Sequence, residues 1–216
     1  MIDNSYSYNV DDLIKRYPRL DVCKDDINEA FLILLKAAKE GKKILIAGNG
    51  GSCSDANHIV GELAKSFKKN RPISEELKAS LLSMDQEKGS DLASKLEDGI
   101  MAIALDNHQS LNTAFGNDIP DGAKYCFAQQ VNVYGREGDV FLGISTSGSS
   151  KNVCLAAMVA KAKGMKVIGL TGGKIGELAK YADVTIKAPE SETFKVQELH
   201  LPIYHCLCLM LEEALY

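Results

Sequence analysis

The first part of the chain shows two spacings of apolar residues, one typical of helices and one typical of buried strands. Between residues 21 and 40, apolar side chains recur every three or four positions, and Gly41 follows as a residue that often ends a helix. Residues 43–47 are a short β-branched run, and residues 55–67 return to helical spacing. The pattern therefore predicts a helix, a strand, a loop and a second helix.

The order of strand and then helix continues along the chain. The predicted strands are 43–47, 101–105, 140–144, 166–170 and 184–188, and the helices that follow them are 55–67, 110–115, 152–163, 175–181 and 191–215. A further helix is predicted at 125–134. Strands that alternate with helices and are apolar on both faces predict a three-layer α/β fold, in which helices flank a five-stranded parallel sheet.

The segment between Pro72 and Ile100 differs from its surroundings. It is charged and helix-prone, with an interruption predicted at Gly89 and Ser90. We interpret residues 73–99 as an inserted helical hairpin or lid. No linker-like composition requires a boundary, so residues 1–216 are expected to form one domain, with N-terminal helices over residues 8–40.

Charge and composition narrow the class of protein. The chain has 216 residues, with 25 basic and 29 acidic side chains spread along it without a basic stripe, which argues against nucleic acid as a partner. No apolar stretch is long enough to cross a bilayer, and the first residues are polar and acidic, so we expect a cytoplasmic protein that does not bind membranes. The six cysteines form no CxxC pair and are expected to be reduced.

Two segments rich in glycine and hydroxyl residues follow predicted strands, at 48–54 and 145–150. In a parallel sheet the loops after the strands meet at one edge, beside helix N-termini that favour anions. The first segment has three glycines and the second has five hydroxyl side chains. Either segment alone is more often an ordinary helix cap, but two at one edge favour a phosphate site.

The kind of phosphate follows from what these segments lack. Neither contains the lysine that nucleotide triphosphates usually require, so a phosphorylated sugar is the better ligand. Residues 48–53 do not have GxGxxG spacing, and the segment GLTGGKI, which starts at Gly169, is one residue short of a P-loop. A dinucleotide or ATP site is therefore disfavoured.

A second set of candidate residues lies on predicted helices. His58 and Glu62 are four positions apart and share a helix face, which suits metal binding or proton transfer but is also common in helix-surface pairs. On the last helix, His205 lies in an apolar run where most histidines are core residues. Gln197 and Glu198 are alternative neighbours for it, and periodicity does not choose between them.

These residues together carry a resemblance to a known family. The segments AGNGGSCSDANHIVGEL, FGND, GREGDVFLGISTSGSS, KGMKVIGLTG and VQELHLPIYH resemble, in this order, the sugar isomerase (SIS) domain of phosphoheptose isomerases. The resemblance covers most of the chain outside the first twenty residues and the insertion. It implies an SIS-type fold and the conversion of sedoheptulose 7-phosphate to D-glycero-D-manno-heptose 7-phosphate through an enediol, for the heptoses of bacterial surface glycans.

The resemblance also implies roles for single residues. Glu62 and His205 would transfer protons, and a zinc ion would be held by His58, Glu62, Gln197 and His205. The substrate would be bound by Asn49, Gly50, Gly51, Ser52, Glu62, Asn117, Asp118, Ser145, Thr146, Ser147, Ser150 and Gln197. The family pattern further implies a homotetramer with active sites shared between subunits.

The chain departs from the family pattern in places. Many members have Glu at the position of Gly61 and Arg near that of Ser66, and the insertion is longer than the usual link between the flanking segments. These differences bear on the identity of the sugar substrate more than on the type of reaction. The alternative is a non-catalytic SIS domain that binds a sugar phosphate for regulation or contacts the replication initiator, although such a module would not need His58, Glu62, Asp118, Gln197 and His205 together.

Overall fold

The computed structural model describes residues 7–216, which form nine helices and five strands in that range. The helices are α1 Ser7–Arg16, α2 Lys24–Lys39, α3 Gly51–Ala64, α4 Glu75–Met84, α5 Gln86–Lys95, α6 Gln109–Asp118, α7 Cys126–Tyr134, α8 Lys151–Ala162 and α9 Thr193–Leu215. The strands are β1 Ile44–Ala47, β2 Ala102–Ala104, β3 Val140–Ser145, β4 Lys166–Gly172 and β5 Val184–Ala188. Short 3₁₀ turns lie at Pro18–Cys23, Leu105–Asn107, Gly122–Lys124 and Glu177–Lys180.

All five strands are parallel and lie in the order β2-β1-β3-β4-β5. Both faces of the sheet are buried, so successive residues of one strand belong to different cores. Ile44 and Ile46 pack in the core beneath α1, α2, α3 and α9, whereas Leu45 and Ala47 pack in the core beneath α7 and α8. The predicted three-layer fold with a five-stranded parallel sheet is confirmed.

The inserted segment is a helical hairpin, as predicted. Helices α4 and α5 pack against each other, and a bridge between Pro72 and Glu97 closes the base. Ser74 caps α4 by accepting from the backbone N–H of Leu77, and Asp85 caps α5 by accepting from that of Lys88.

The predicted break at Gly89 and Ser90 is wrong, because α5 runs through both residues and the chain turns at Asp85 instead. Gly89 has a packing role: a side chain there would overlap the backbone of Leu81, so glycine lets α4 and α5 approach closely. The single-residue turn at Asp85 lacks the glycine or proline that marks most turns in a sequence.

The predicted helix over residues 175–181 is also wrong, since only a 3₁₀ turn forms at Glu177–Lys180. This segment folds back on residues 145–150, the serine loop, where the backbone N–H of Leu178 donates to the carbonyl of Gly148 at 2.9 Å. A side chain at Gly176 would overlap the backbone of Gly148. Close tertiary packing therefore replaces the helix that the local spacing predicts.

Other elements differ from prediction only at their ends. Helix α3 begins at Gly51, so the glycine segment supplies its first turn, and α6 is longer than predicted and carries Asn117 and Asp118. Helix α2 begins at Lys24 because Pro18–Cys23 is a 3₁₀ turn. Within residues 7–216, no helix is long and apolar enough to cross a membrane.

Candidate functional site

The two predicted phosphate loops lie side by side at the carboxyl edge of β1 and β3, which are neighbours in the sheet. Asn49 and Asn152 join them through a reciprocal pair of amide hydrogen bonds at 3.0 and 2.8 Å. Asn152 lies at the start of α8 and was not among the predicted site residues. Both loops lead into helix N-termini, so backbone N–H groups without helical partners are concentrated at this edge.

The glycine loop, residues 48–54, depends on backbone conformations and close contacts that only glycine allows. Gly50 has φ +55° and ψ −121°, a backbone conformation that side chains disfavour. A Cβ at Gly48 would overlap the Ser52 carbonyl, and one at Gly51 would overlap the Gln197 side-chain amide. Gln197 therefore lies against the glycine loop.

The serine loop is held by its own hydroxyls. Ser145 is buried at the end of β3, and its Oγ lies 2.9 Å from that of Ser150 and accepts from the Ser150 backbone N–H at 3.3 Å. Ser147 accepts from the backbone N–H of Ser149 at 3.2 Å and is itself exposed, whereas Thr146 is half-buried. Gly148 turns the loop with φ +66°. Hydrogen bonds within the loop thus hold its conformation.

Three of the predicted catalytic and metal-binding residues converge between α3 and α9. His58 Nε2 lies 3.1 Å from Glu62 Oε1 and 3.4 Å from His205 Nε2. One ligand atom from each of the three residues lies within 4.8 Å of the others. The rings of His58 and His205 are nearly perpendicular, with centroids 4.9 Å apart.

A buried tyrosine and a half-buried aspartate lie beside this cluster. Tyr204, which is 2% exposed, places its hydroxyl 3.0 Å from His58 Nδ1 and donates to Asp55 Oδ1 at 3.3 Å. Burial and the nearby Asp55 carboxyl raise the pKa of the Tyr204 phenol, so it stays protonated. Burial lowers the pKa of His205, and the adjacent His58 lowers it further, while Glu62 has a smaller effect in the opposite direction. The net shift favours a neutral His205 imidazole.

The end of α3 that carries Glu62 is fixed by a buried ion pair. Arg71 is completely buried, and it donates to Glu212 at 2.8 Å and to the backbone carbonyls of Leu63 and Glu62 at 3.0 and 3.3 Å. Burial alone would raise the pKa of Glu212, but the N–H groups of residues 67–69 and Arg71 together lower it. Sequence reasoning missed this pair.

The remaining predicted residues lie elsewhere. Asn117 and Asp118 are exposed at the end of α6, where the Asn117 amide donates to the Asp118 carboxylate at 2.8 Å. Gln197 precedes His205 by eight residues, about 12 Å along a helix axis, and its side-chain amide lies against Gly51 at the glycine loop. Glu198, the alternative to it, is exposed.

Cys53 lies within the glycine loop and lacks the features of a reactive thiol. Its Sγ donates to Asp106 Oδ2 at 3.1 Å, and Asn57 donates to the same oxygen at 2.6 Å. Burial, with the hydrogen bond to Asp106, raises the pKa of the Cys53 thiol to about 11. A neutral thiol that packs in the loop fits this geometry.

The fold, with paired loops at one sheet edge, defines an SIS domain. Models of the SIS domain match residues 5–112 and 123–210. More narrowly, the chain belongs to the phosphoheptose isomerase family.

Three relatives support this family assignment. The chain is 38% identical to the phosphoheptose isomerase of Aneurinibacillus thermoaerophilus over 84% of its length and 78% of that protein. It is 40% identical to phosphoheptose isomerase 2 of Campylobacter jejuni over 88% of its length and 81% of that protein. A solved phosphoheptose isomerase structure from Francisella tularensis superposes with a TM-score of 0.74 at 29% identity, covering 97% of this chain and 96% of that one.

Proposed function

We propose that the protein is a ketose–aldose isomerase that converts sedoheptulose 7-phosphate into D-glycero-D-manno-heptose 7-phosphate. The observation that carries the proposal is the cluster of His58, Glu62 and His205, in which a carboxylate and two imidazoles meet within hydrogen-bonding distance. A domain that only binds a sugar phosphate needs the two loops but has no need of this cluster. The names of the curated relatives agree with this reaction.

The chemistry that such a cluster performs is proton transfer next to a carbonyl. Glu62 takes the proton from the carbon beside the ketose carbonyl, which gives an enediol, and a proton returned to the former carbonyl carbon gives the aldose. His205, held neutral by burial, exchanges protons with the oxygens of the enediol. Glu62 is mostly buried whereas His58 is 43% exposed, so the cluster is open to a substrate on the His58 side.

The same three residues fit a zinc ion. Zinc is bound by imidazole nitrogens and carboxylate oxygens at about 2.0–2.2 Å, which sets neighbouring ligands of a tetrahedral site about 3.3 Å apart. The separations of 3.1 and 3.4 Å match this value. When bound, the ion would polarise the substrate oxygen and stabilise negative charge as the enediol forms. Gln197 as a fourth ligand stays a prediction.

The substrate phosphate belongs at the two loops. Gly50 and Gly51 would offer backbone N–H groups at the start of α3, whereas the N–H of Ser52 is already bonded to the carbonyl of Asn49 at 3.0 Å. The serine loop would offer hydroxyls. Asn49 and Gln197 lie at the same place and are suited to neighbouring sugar hydroxyls. The residues proposed for the serine loop are Ser145, Thr146, Ser147 and Ser150.

We further propose that each active site is shared between subunits of a homotetramer. Gly51 and Glu62 are eleven residues apart on one continuous helix, about 16 Å along its axis, so the loops and the cluster of one chain are well separated. In the proposed arrangement, a phosphate at one chain's loops meets the Glu62 of another chain. The exposed Asn117 and Asp118 on α6 would contact sugar across the same boundary.

The test is turnover by the purified protein supplied with zinc and sedoheptulose 7-phosphate. We expect an aldose phosphate to form, measured by NMR of the sugar, and to form faster than from five- or six-carbon ketose phosphates. A protein that binds sedoheptulose 7-phosphate but turns over no ketose phosphate would instead be a regulatory SIS domain. We also propose that the protein acts in the cytoplasm, where its product is used to make the heptoses of surface glycans.

A further inference from the structure

A chain of three side chains leads from a poorly solvated carboxyl group to the cluster. Asp55 Oδ1 accepts from the Tyr204 hydroxyl at 3.3 Å, and that hydroxyl lies 3.0 Å from His58 Nδ1. Nε2, the other nitrogen of the same ring, faces Glu62 and His205. Tyr204 is therefore the link between Asp55 and the nitrogen of His58 that faces away from the cluster.

The number of available protons determines the direction of the hydrogen bonds made by Tyr204. The Tyr204 hydroxyl has one proton and two neighbours that could take it. Asp55 Oδ2 is buried without a partner among residues 7–216, and no other side-chain donor to Oδ1 is found in that range. If Tyr204 gave its proton to His58, the Asp55 carboxyl would have no donor, which is costly for a poorly solvated acid.

We propose that Asp55 and Tyr204 are positioning residues that fix the His58 ring through its Nδ1–H, so that Nε2 is directed at the cluster and at a zinc ion bound there. Tyr204 Oη then accepts a hydrogen bond from His58 Nδ1–H, and the Tyr204 hydroxyl donates a hydrogen bond to Asp55 Oδ1. A histidine ligand commonly donates its other N–H to a nearby acceptor, which fixes the ring and its tautomer. The proposal rests on the proposed metal role of His58, but its tests, NMR of the ring and zinc affinity, need neither substrate nor turnover.

The arrangement also ties the two helices of the cluster together. Tyr204 precedes His205 on α9, so one helix supplies a member of the cluster and, through the adjacent residue, the orientation of His58 on α3. The centroids of the Tyr204 ring and the His58 ring are 5.5 Å apart in an edge-on contact. Because Tyr204 is 2% exposed, water has little access to replace its hydroxyl.

The first test is the Nδ1–H proton of His58 in the protein saturated with zinc, read by ¹H–¹⁵N NMR of the ring. We expect this proton to be protected from exchange with water in the wild-type protein and to exchange faster in Tyr204→Phe. An Nδ1–H that exchanges equally fast in both proteins would overturn the proposal. A failed isomerase assay would not change this readout.

The second test is zinc affinity, measured by competition with a chromogenic chelator. Tyr204→Phe should bind zinc about 10- to 100-fold more weakly. Tyr216→Phe is a matched control, because Tyr216 also donates to an aspartate, Asp98, at 3.3 Å but lies outside the cluster. Its zinc affinity should equal that of the wild type.

Asp55→Asn keeps the shape of the side chain and serves if Tyr204→Phe does not fold. Loss of the negative charge should weaken zinc binding in the same direction by a smaller factor. Zinc affinities of Tyr204→Phe and Asp55→Asn within twofold of the wild type would overturn the proposal.

Discussion

His200 shows how burial determines the protonation state of a histidine on α9. The side chain is completely buried, with Nε2 3.1 Å from the carbonyl oxygen of Thr171 and Nδ1 without a partner among residues 7–216. A carbonyl only accepts, so Nε2 carries the proton and the ring links α9 to the end of β4. Burial lowers the pKa of His200 from 6.5 to about 4, against a smaller opposing effect of that hydrogen bond.

This pKa predicts how stability depends on pH. Between pH 6.5 and about 4 the unfolded chain binds a proton at His200 and the folded chain does not, so the unfolding free energy falls as the pH falls. The loss of unfolding free energy from this residue is at most roughly 3 to 4 kcal/mol, since each pKa unit corresponds to about 1.4 kcal/mol.

Urea unfolding at pH 7 and pH 5 measures the effect. His200→Gln, which retains an amide donor for Thr171, should lose less stability between the two pH values than the wild type loses. His108→Gln changes a half-buried histidine outside the core and should behave as the wild type does. An equal loss in His200→Gln and wild type would show that His200 is not buried as a neutral ring.

At the residue scale, the sequence shows which side chains could perform chemistry, but it shows less well which residues they contact in the fold. His58 and Glu62 are predictable because the spacing of four is local to one helix. His205 is found through the family resemblance, since its position beside His58 depends on how α3 and α9 pack. Asp55 and Tyr204 leave no signal in the spacing, because an aspartate near a helix start and a tyrosine in an apolar run are both ordinary.

At the scale of elements, the strands are predictable because they are short, apolar and bounded by glycine or polar residues. β1 and β3 match their predicted positions closely. The hairpin is also predictable from its change in composition, but its turn at Asp85 is not, because one residue serves as the end of α4 and the cap of α5. The prediction of a helix over residues 175–181 is wrong because contact with Gly148 outweighs the local helical spacing.

The buried pair of Arg71 and Glu212 illustrates the same limit at the element scale. Arg71 lies just before the hairpin and Glu212 near the end of α9, 141 residues later. Together they fix the turn after α3 and hold the carbonyls at the end of that helix. Nothing in the local pattern indicates that either charge is buried, since most arginine and glutamate side chains are exposed.

At the scale of the whole molecule, the proposed shared active site predicts complementation between two inactive variants. Glu62→Gln keeps the phosphate loops, and Ser147→Asp places a carboxylate at an exposed position of the serine loop while keeping Glu62. Subunits mixed during refolding would form some sites with an intact loop from one chain and an intact Glu62 from another. We expect the mixture to be far more active than the sum of the two variants.

Each variant refolded alone is the control for this measurement. If the activity of the mixture equals that sum, the loop and Glu62 of one site come from the same chain. The distance of about 16 Å along α3 would then have to be crossed within one subunit.

The central claim is that the loops bind the sugar phosphate and that Glu62 carries out the chemistry. The most direct measurement compares kcat with the dissociation constant for sedoheptulose 7-phosphate in Glu62→Gln, with Glu198→Gln as a control that removes an exposed carboxylate from α9. We predict that Glu62→Gln lowers kcat by about 10²- to 10⁴-fold and changes the dissociation constant by no more than about threefold, while the control changes neither. A Glu62→Gln variant with near wild-type kcat would contradict the account.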